Sequence, residues 1–432
     1  MEKIQKPRGT QDVLPSEQKY WEFVVKTFER KIKAEGFSRI ETPIFEYKEV
    51  FERPLGSQTD IVEKQMFSVG RKSADEIERE DQSELVLRPE YTASIMRSYL
   101  ETGMGSIPQP IKLYYFGPTF RYERPQKGRL RQFNQLGFEV IGDASPSCDA
   151  LTIYTTYQFL KSLRLSRFIK IEVNSLGCKT CRKEIKQKLI EYFSSFRAKL
   201  CDDCKRRLQV NPRRILDCKE QRCQQIVEGS PETIDLTCET CKKHFRETLE
   251  NLEILKVPYE LNTKLVRGLD YYNRTAFEIK TIDDTNTGSI GGGGRYDGLS
   301  ELLGGGNSSA IGVALGTERI IELIKEKAIL VPEIAGPKMI LIQLGPKAKA
   351  RALELYDTLL KKSFRVFIAP GKESLKAQLR LADKKAIRFA LILGEREVFE
   401  NSIIIKDLEK NSQSTVLLKK LVDRLKKLVW KG

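Results

Sequence analysis

Apolar residues recur at helical spacing from Ser16 to about Glu35, in SEQKYWEFVVKTFERKIKAE. The Ser/Glu start predicts a capped helix, and Gly36 ends it. FSRIETPIFEY then predicts a short strand broken by Pro43. Between Ile111 and Gly142, two β-rich runs, IKLYYFGPTFRYER and RQFNQLGFEVIG, flank the basic stretch PQKGRLR, the pattern of a long antiparallel hairpin. A helix from about Ser147 to Leu163 and the strand FIKIEVNS follow. From about Cys178 to Val257 the chain turns charged, Cys-rich and helical, whereas β-type sequence resumes in TAFEIKTI and TGSIGGGG. That return marks residues 178–257 as an insertion, and a helix from roughly Gly316 to Lys327 closes the first unit.

AILVPEIAGPK, residues 328–338, has the Pro/Gly content of a linker. Beyond it, KMILIQLG, RVFIAP, RFALILG and NSIIIKD alternate with helical stretches and end in a basic helix, so residues 339–432 are expected to form a small α/β domain. No apolar run reaches the roughly 18 residues of a membrane helix. The start, MEKIQKPRGTQDVLPSE, is charged and broken by Pro and Gly, unlike a signal peptide. The expected setting is cytoplasmic, without membrane contact.

Charge narrows the function. The 75 Lys+Arg outnumber the 59 Asp+Glu, and a net charge of +16 favours a polyanionic partner. Of nine cysteines, eight pair up as Cys178/Cys181, Cys201/Cys204, Cys218/Cys223 and Cys238/Cys241. Three pairs are C-x-x-C, the spacing that lets two thiolates share one tetrahedral Zn²⁺. Four pairs suffice for two sites, and spacing leaves open which pairs combine. Such zinc would be structural, because eight sulfurs leave no open position. Cys148 stands apart and is expected to be a small buried residue. The only histidine, His244, follows the last C-x-x-C and is expected on a solvated helix face. Its solitude excludes histidine-based acid–base chemistry in the core.

The densest chemistry lies in the hairpin, where Arg121, Glu123, Arg124, Gln126, Lys127, Arg129 and Arg131 crowd together. Strand alternation would point Arg121 and Glu123 the same way, with Gln135, Gly137 and Glu139 on one face of the return strand. Mixed charges on one face suit a ligand carrying both an ammonium and a phosphate, and the planar Arg fork suits the phosphate. A solvated basic hairpin would have the same composition. Gly291 to Gly294 offers an unhindered strand floor, and no Gly-Lys-Ser/Thr follows to make it a phosphate loop.

Taken in order, these segments resemble the class II aminoacyl-tRNA synthetases, and specifically their histidyl branch. GPTFRYERPQKGRLRQFNQLGFEVIG resembles motif 2, ETPIFE resembles motif 1, and AIGVALGTERI resembles motif 3. PRGTQDVLP is similar to the family's N-terminal signature and LRPEYTA to its amino-acid-binding loop. LVRGLDYYNRTAFEI and GGGGRYDGL are similar to its two histidine-specific signatures. The resemblance implies an α+β catalytic domain (1–327) with a mostly antiparallel six-stranded class II sheet. It also implies that the helical Cys-rich insertion interrupts that domain, and that 339–432 is an anticodon-binding domain.

It further implies a histidine–tRNA ligase using ATP with Mg²⁺, with L-histidine and tRNA(His) as partners and a homodimer as the assembly. Arg121, Arg267 and Arg319 would be catalytic. Glu90, Thr92, Arg121, Gln135, Glu139, Arg267, Tyr271 and Tyr272 would bind histidine. Arg121, Glu123, Gly292, Gly293 and Arg319 would bind ATP, and Gln126, Lys127, Arg129 and Arg131 would meet the tRNA acceptor end. Arg267 would act as a built-in cation beside the α-phosphate. Two positions depart from the pattern: Tyr91, where a smaller residue is usual, and Thr317, where an apolar one is. An alternative is a synthetase-like regulatory subunit of histidine biosynthesis, which would lack the C-terminal domain and much of the insertion.

Overall fold

The computed structural model describes residues 3–56, 61–70, 84–123, 128–283, 288–334 and 336–429. The chain divides into two compact units, Met1–Pro332 and Glu333–Gly432. The first unit is organised by a sheet that has eight strands among the described residues. In spatial order they are Ser38–Arg39, Ile111–Phe120, Gln132–Ile141, Ala310–Gly316, Ser289–Arg295, Asn273–Thr281, Ile169–Ser175 and Glu260–Leu261. The six long strands are antiparallel throughout, and the two-residue strands pair parallel at the edges. The six-stranded expectation therefore describes the long strands, and short flanking segments extend them. Phe45–Tyr47, Leu85–Leu87 and Phe67–Ser68 form a second, small sheet with Leu85–Leu87 in the middle.

The two faces of the large sheet bury different chemistry. One is apolar: Phe138, Ile171, Phe277, Ile279 and Val313 pack against helices Gln18–Ala34, Pro146–Ser162, Glu239–Ile254 and Thr317–Glu326 through Phe28, Phe159, Leu252 and Leu323. Each such side chain contributes roughly 1.5–3 kcal/mol on full burial, so this face carries the stability of the unit. The other buries Tyr91, Tyr115, Tyr271, Tyr272 and Tyr296 with Met96 from helix Thr92–Glu101. Tyrosine fills space like an apolar residue but keeps a hydroxyl that needs a partner, and a polar site can be built on those hydroxyls.

The first helix starts at Gln18, and no side chain caps it at Glu17. The expected Ser16 cap is not used. Backbone bonds from Glu17 to Leu14 and from Gln18 to Pro15 already turn the chain and engage the amides a cap would serve.

The insertion consists of helices Lys179–Ser194, Asp202–Val210, Gln221–Glu228 and Glu239–Ile254 with short connections. Its interior combines Ile185, Leu189, Phe193 and Ile215 with six cysteines: Cys181, Cys201, Cys204, Cys218, Cys223 and Cys241.

In the second unit, the described strands are ordered Val366–Ile368, Met339–Leu344, Phe389–Gly394, Ser402–Asp407 and Ser412–Leu417. The first three are parallel and the last two antiparallel. Alternation places Leu341 and Leu391 with helices Pro346–Lys361 and Leu421–Val429, and Ile340, Ile342 and Ala390 with helix Leu375–Lys384. Ser412–Leu417 is absent from the sequence expectation. As SQSTVL on an edge, almost wholly exposed, it lacks the alternation by which a strand is recognised.

Candidate active site

On the tyrosine face lies a cavity of about 360 Å³. Glu90, Thr92, Arg121, Glu123, Arg129, Gln135, Arg267, Tyr271, Tyr272, Gly292 and Arg319 all line it, gathered from segments more than 200 positions apart in the chain. Gly291, the first residue of the expected glycine floor, lines it too, as do Glu278, Glu318 and Glu322, which were not singled out in the sequence. Glu318 and Glu322 flank Arg319 on helix Thr317–Glu326, where acidic residues ordinarily read as a solvated helix face.

Backbone groups hold the arginines in place. Arg121 lies just past the end of its strand, donates from Nε to the Pro89 carbonyl at 2.9 Å, and sits 5.3 Å from the Phe133 ring centroid. Arg319 donates to the carbonyls of Gly128 (3.0 Å) and Ser289. Arg267 pairs with Glu278 at 3.0 Å and lies above Tyr272. It can do so because position 292 is glycine: a Cβ there would meet the Arg267 guanidinium at 2.7 Å. Burial pulls the Arg319 guanidinium down, and the like charges of Arg129 and Arg121 add to the effect. Arg121 is lowered by burial too, with Glu123 and Glu90 opposing. Mutually repelling cations held at one cavity form a site for a polyphosphate, which relieves the repulsion.

Glu90 precedes helix Thr92–Glu101 and accepts from the amides of Thr92 (2.6 Å) and Ala93 (2.8 Å). Tyr271 Oη donates to the same carboxylate at 3.4 Å. Burial raises the Glu90 carboxyl, while the helix amides and Arg121 work against that rise. Its remaining acceptor capacity faces the cavity, where an α-ammonium would complete it.

Two residues expected to bind histidine or ATP, Glu139 and Gly293, do not line the cavity. Glu139 lies behind it, accepting from Tyr296 (2.6 Å), Thr92 (2.9 Å) and Tyr115 (3.3 Å). Burial pushes its carboxyl up to about 8 despite those bonds. It can take this place because position 312 opposite is glycine, where a Cβ would collide with the carboxylate. Tyr296 and Tyr115 were missed in the sequence because a tyrosine in or beside an apolar strand reads as core. Gly293 does not line the cavity, whereas Gly291 and Gly292 do and form its floor. Arg131 stacks on Tyr122 at 3.9 Å and its amide donates to the Gly9 carbonyl, so it ties the N-terminal segment to the hairpin. Gln126 and Lys127 lie outside the described residues.

Tyr91 is buried, stacked on Tyr115 with ring centroids 4.3 Å apart, and its hydroxyl bonds Arg88. Arg88 in turn donates to the carbonyls of Thr42 (2.6 Å) and Pro118 (2.9 Å). The unusual tyrosine therefore braces the loop from beneath instead of covering the ligand. Thr317 opens its helix and is fully buried.

His244 is not solvated. Its Nε2 lies 2.8 Å from Asp149 Oδ2 in the interior, and Arg295 donates from Nε to the other Asp149 oxygen at 3.0 Å. Helical spacing from Cys241 puts it on the face that docks onto helix Pro146–Ser162. Cys148 is buried, and burial pushes its thiol up to about 12.

The cysteines resolve into two groups, Cys178/Cys181/Cys238/Cys241 and Cys201/Cys204/Cys218/Cys223, each with all four sulfurs within 4.8 Å of one another. Measured separations are 3.5 Å (Cys178–Cys181), 4.0 Å (Cys181–Cys241) and 3.8 Å (Cys201–Cys218). Disulfides are excluded at those lengths. A tetrahedral Zn²⁺ with sulfurs about 2.3 Å away sets them roughly 3.8 Å apart, which both groups fit. Backbone amides of Cys238 and Cys201 donate to Cys181 and Cys223 sulfurs at 3.1 and 3.3 Å. Burial raises both of these thiols, and the amide bonds work against that rise.

A mostly antiparallel sheet carrying convergent arginines on one face and helices on the other has the architecture of the class II aminoacyl-tRNA synthetases. Residues 9–178 match the family model described as histidyl-tRNA synthetase, and residues 338–428 match an anticodon binding domain. The chain is 42% identical over 421 residues to the histidine–tRNA ligase of Desulforamulus reducens, covering 96% of this chain and 97% of that one. It is 40% identical over 425 residues to that of Dehalococcoides mccartyi, covering 98% and 100%. The crystal structure of apo S. aureus histidyl-tRNA synthetase superposes with a TM-score of 0.80 at 32% identity, over 98% of this chain and 99% of that one. The chain belongs to the histidyl-tRNA synthetase family of aminoacyl-tRNA ligases.

Proposed function

We propose that this chain activates L-histidine with ATP, giving histidyl-adenylate and pyrophosphate, and then transfers the histidyl group to the 3′ end of tRNA(His). The observation that supports this reading is the meeting of Arg121, Arg267 and Arg319 with Glu90, Thr92 and Gln135 around one cavity. A histidine carboxylate oxygen attacks the α-phosphorus in line, and the bond to the pyrophosphate oxygen breaks. Negative charge builds on the α-phosphoryl oxygens, where Arg121 and Arg267 stabilise it, and Arg319 takes the far phosphates.

Glu90 and Thr92 hold the α-ammonium with help from Gln135, and Glu123 and the Gly291–Gly292 floor hold the adenosine. Tyr271 and Tyr272 face the imidazole, with Glu139 fixing Thr92 from behind. ATP would enter as its Mg²⁺ complex, and the lining carboxylates of Glu278, Glu318 and Glu322 would offer the oxygen donors that Mg²⁺ takes. In the second step a terminal ribose hydroxyl of the tRNA attacks the acyl carbon and AMP leaves. His244, bonded to Asp149 in the interior, takes no part, so positioning and charge carry the reaction.

The remaining assignments belong to the same reading. Residues 126–131 meet the acceptor end, residues 178–257 brace the acceptor stem around structural zinc, and residues 339–432 read the anticodon. The protein works as a cytoplasmic homodimer; among the described residues no helix is long and apolar enough to cross a membrane. A regulatory subunit without charging activity is disfavoured by the presence of both the insertion and the C-terminal unit. The test is ATP–pyrophosphate exchange with each amino acid in turn. Exchange with histidine alone is expected; a folded protein that binds tRNA but exchanges with none reinstates the regulatory reading.

A further inference from the structure

The loop that carries Arg267 has no regular structure from Val266 to Asp270, yet it must hold a cation at the cavity. Three side chains of the insertion grip it. Arg182, next to Cys181, donates to the Asp270 carbonyl at 2.6 Å. Asn211 donates from Nδ2 to Asp270 Oδ1 at 2.7 Å, and Arg214 donates to the Gly268 carbonyl at 2.8 Å.

Asn211 and Arg214 lie in the connection between Cys204 and Cys218, two members of the same sulfur group. The connection is a short helix, Asp202–Val210, followed by a 3-10 turn, Pro212–Asp217, and the two pack on each other. At its end Asp217, adjacent to Cys218, reaches the wall of the cavity itself. Val266 packs against the same cysteine-rich interior. A helix this short has no stability of its own, so a cross-link at its ends decides whether the connection is ordered.

We propose that Cys201, Cys204, Cys218 and Cys223 bind one Zn²⁺ whose presence sets the rate of amino-acid activation, because it orders Asn211 and Arg214 to clamp Gly268–Asp270 and so position Arg267. Asn211 and Arg214 are then positioning residues: neither lines the cavity, and both act through the Arg267 loop. The inference rests on the activation reaction proposed above. Because Arg267 acts on charge that develops in the transition state, loss of the clamp falls on kcat more than on KM.

The test uses the full-length chain, with zinc counted by mass spectrometry, folding followed by circular dichroism, and histidine-dependent exchange as the activity. The wild-type chain is expected to hold two zinc ions, one per sulfur group. The double variant Asn211→Ala, Arg214→Ala keeps both ions and its helical spectrum but loses roughly 10- to 100-fold in kcat, the scale of a misplaced catalytic group. Arg214→Lys, which keeps one donor, recovers part of the rate relative to Arg214→Ala. Cys218→Ala holds one ion and shows a similar loss in kcat. Full kcat in the double variant, or in a folded Cys218→Ala, overturns the coupling. If Cys218→Ala does not fold, the double variant decides alone. A wild-type chain that exchanges at full rate after zinc is stripped overturns the coupling and leaves the activity standing, whereas no exchange by the zinc-loaded wild type overturns both.

Discussion

The cavity and the insertion solve opposite problems with the same material, buried polar atoms. In the catalytic unit, Glu90, Glu139, Arg88 and Arg295 are nearly inaccessible, and each is held by several hydrogen bonds. The large apolar face of the sheet supplies the stability that permits this. The insertion has no such reserve, and cysteine sulfur makes up much of its interior. A small module with a small core depends on cross-links or metal, whereas a large sheet can devote one face to charged chemistry.

Removing metal tests the contrast most severely. Structural zinc is worth on the order of 10 kcal/mol to a small domain. Chelation is therefore expected to make residues 178–257 protease-sensitive while the catalytic sheet stays resistant, and equal resistance of both regions breaks the comparison. Asp149→Ala comes next, because it takes from a fully buried Arg295 one of its two carboxylate partners, leaving only Asp297, and removes the partner of His244. The expected cost is about 3–5 kcal/mol in denaturant unfolding. Arg267→Ala should slow histidine-dependent exchange by at least ~100-fold with little change in melting, since this residue serves the reaction instead of the core; a near-normal rate sinks its role.

Glu139 sharpens the comparison through pH. Its carboxyl titrates near 8, above the ordinary value of 4.5. Across that window the folded protein keeps a proton that the unfolded chain releases, so stability falls as pH rises, and the slope ends above about 8. Glu139→Gln stays neutral throughout and should flatten this part of the profile, as melting curves across the window will read. The smallest effect is Tyr91→Phe, which takes from Arg88 one of several acceptors. About 1 kcal/mol is expected, with exchange kinetics unchanged.

Local pattern determined a great deal in this protein. The hairpin from Ile111 to Ile141, the return to β structure after the insertion, and the alternating C-terminal unit follow from periodicity and turn residues, which act over a few positions. The arginines of the cavity were legible as well, because ERPQKGRLR, RGLDYY and TERI carry their chemistry in consecutive residues, whereas Glu278, Glu318 and Glu322 were not. What tertiary structure alone decided are relations between distant segments. Which cysteine pairs share a site depends on how four helices pack, and spacing within each pair carries no trace of it. His244 looked solvated because its helix is polar overall, and only docking against helix Pro146–Ser162 brings Asp149 to its ring. Glu139 shares its strand face with Gln135, which lines the cavity, but Thr92, Tyr115 and Tyr296 converge on its carboxylate, so which residues of a face reach the cavity is settled by the segments packed on it. The clamp from Asn211 and Arg214 onto Gly268–Asp270 joins an insertion to a loop more than fifty positions away, and no rule of local sequence reaches that far.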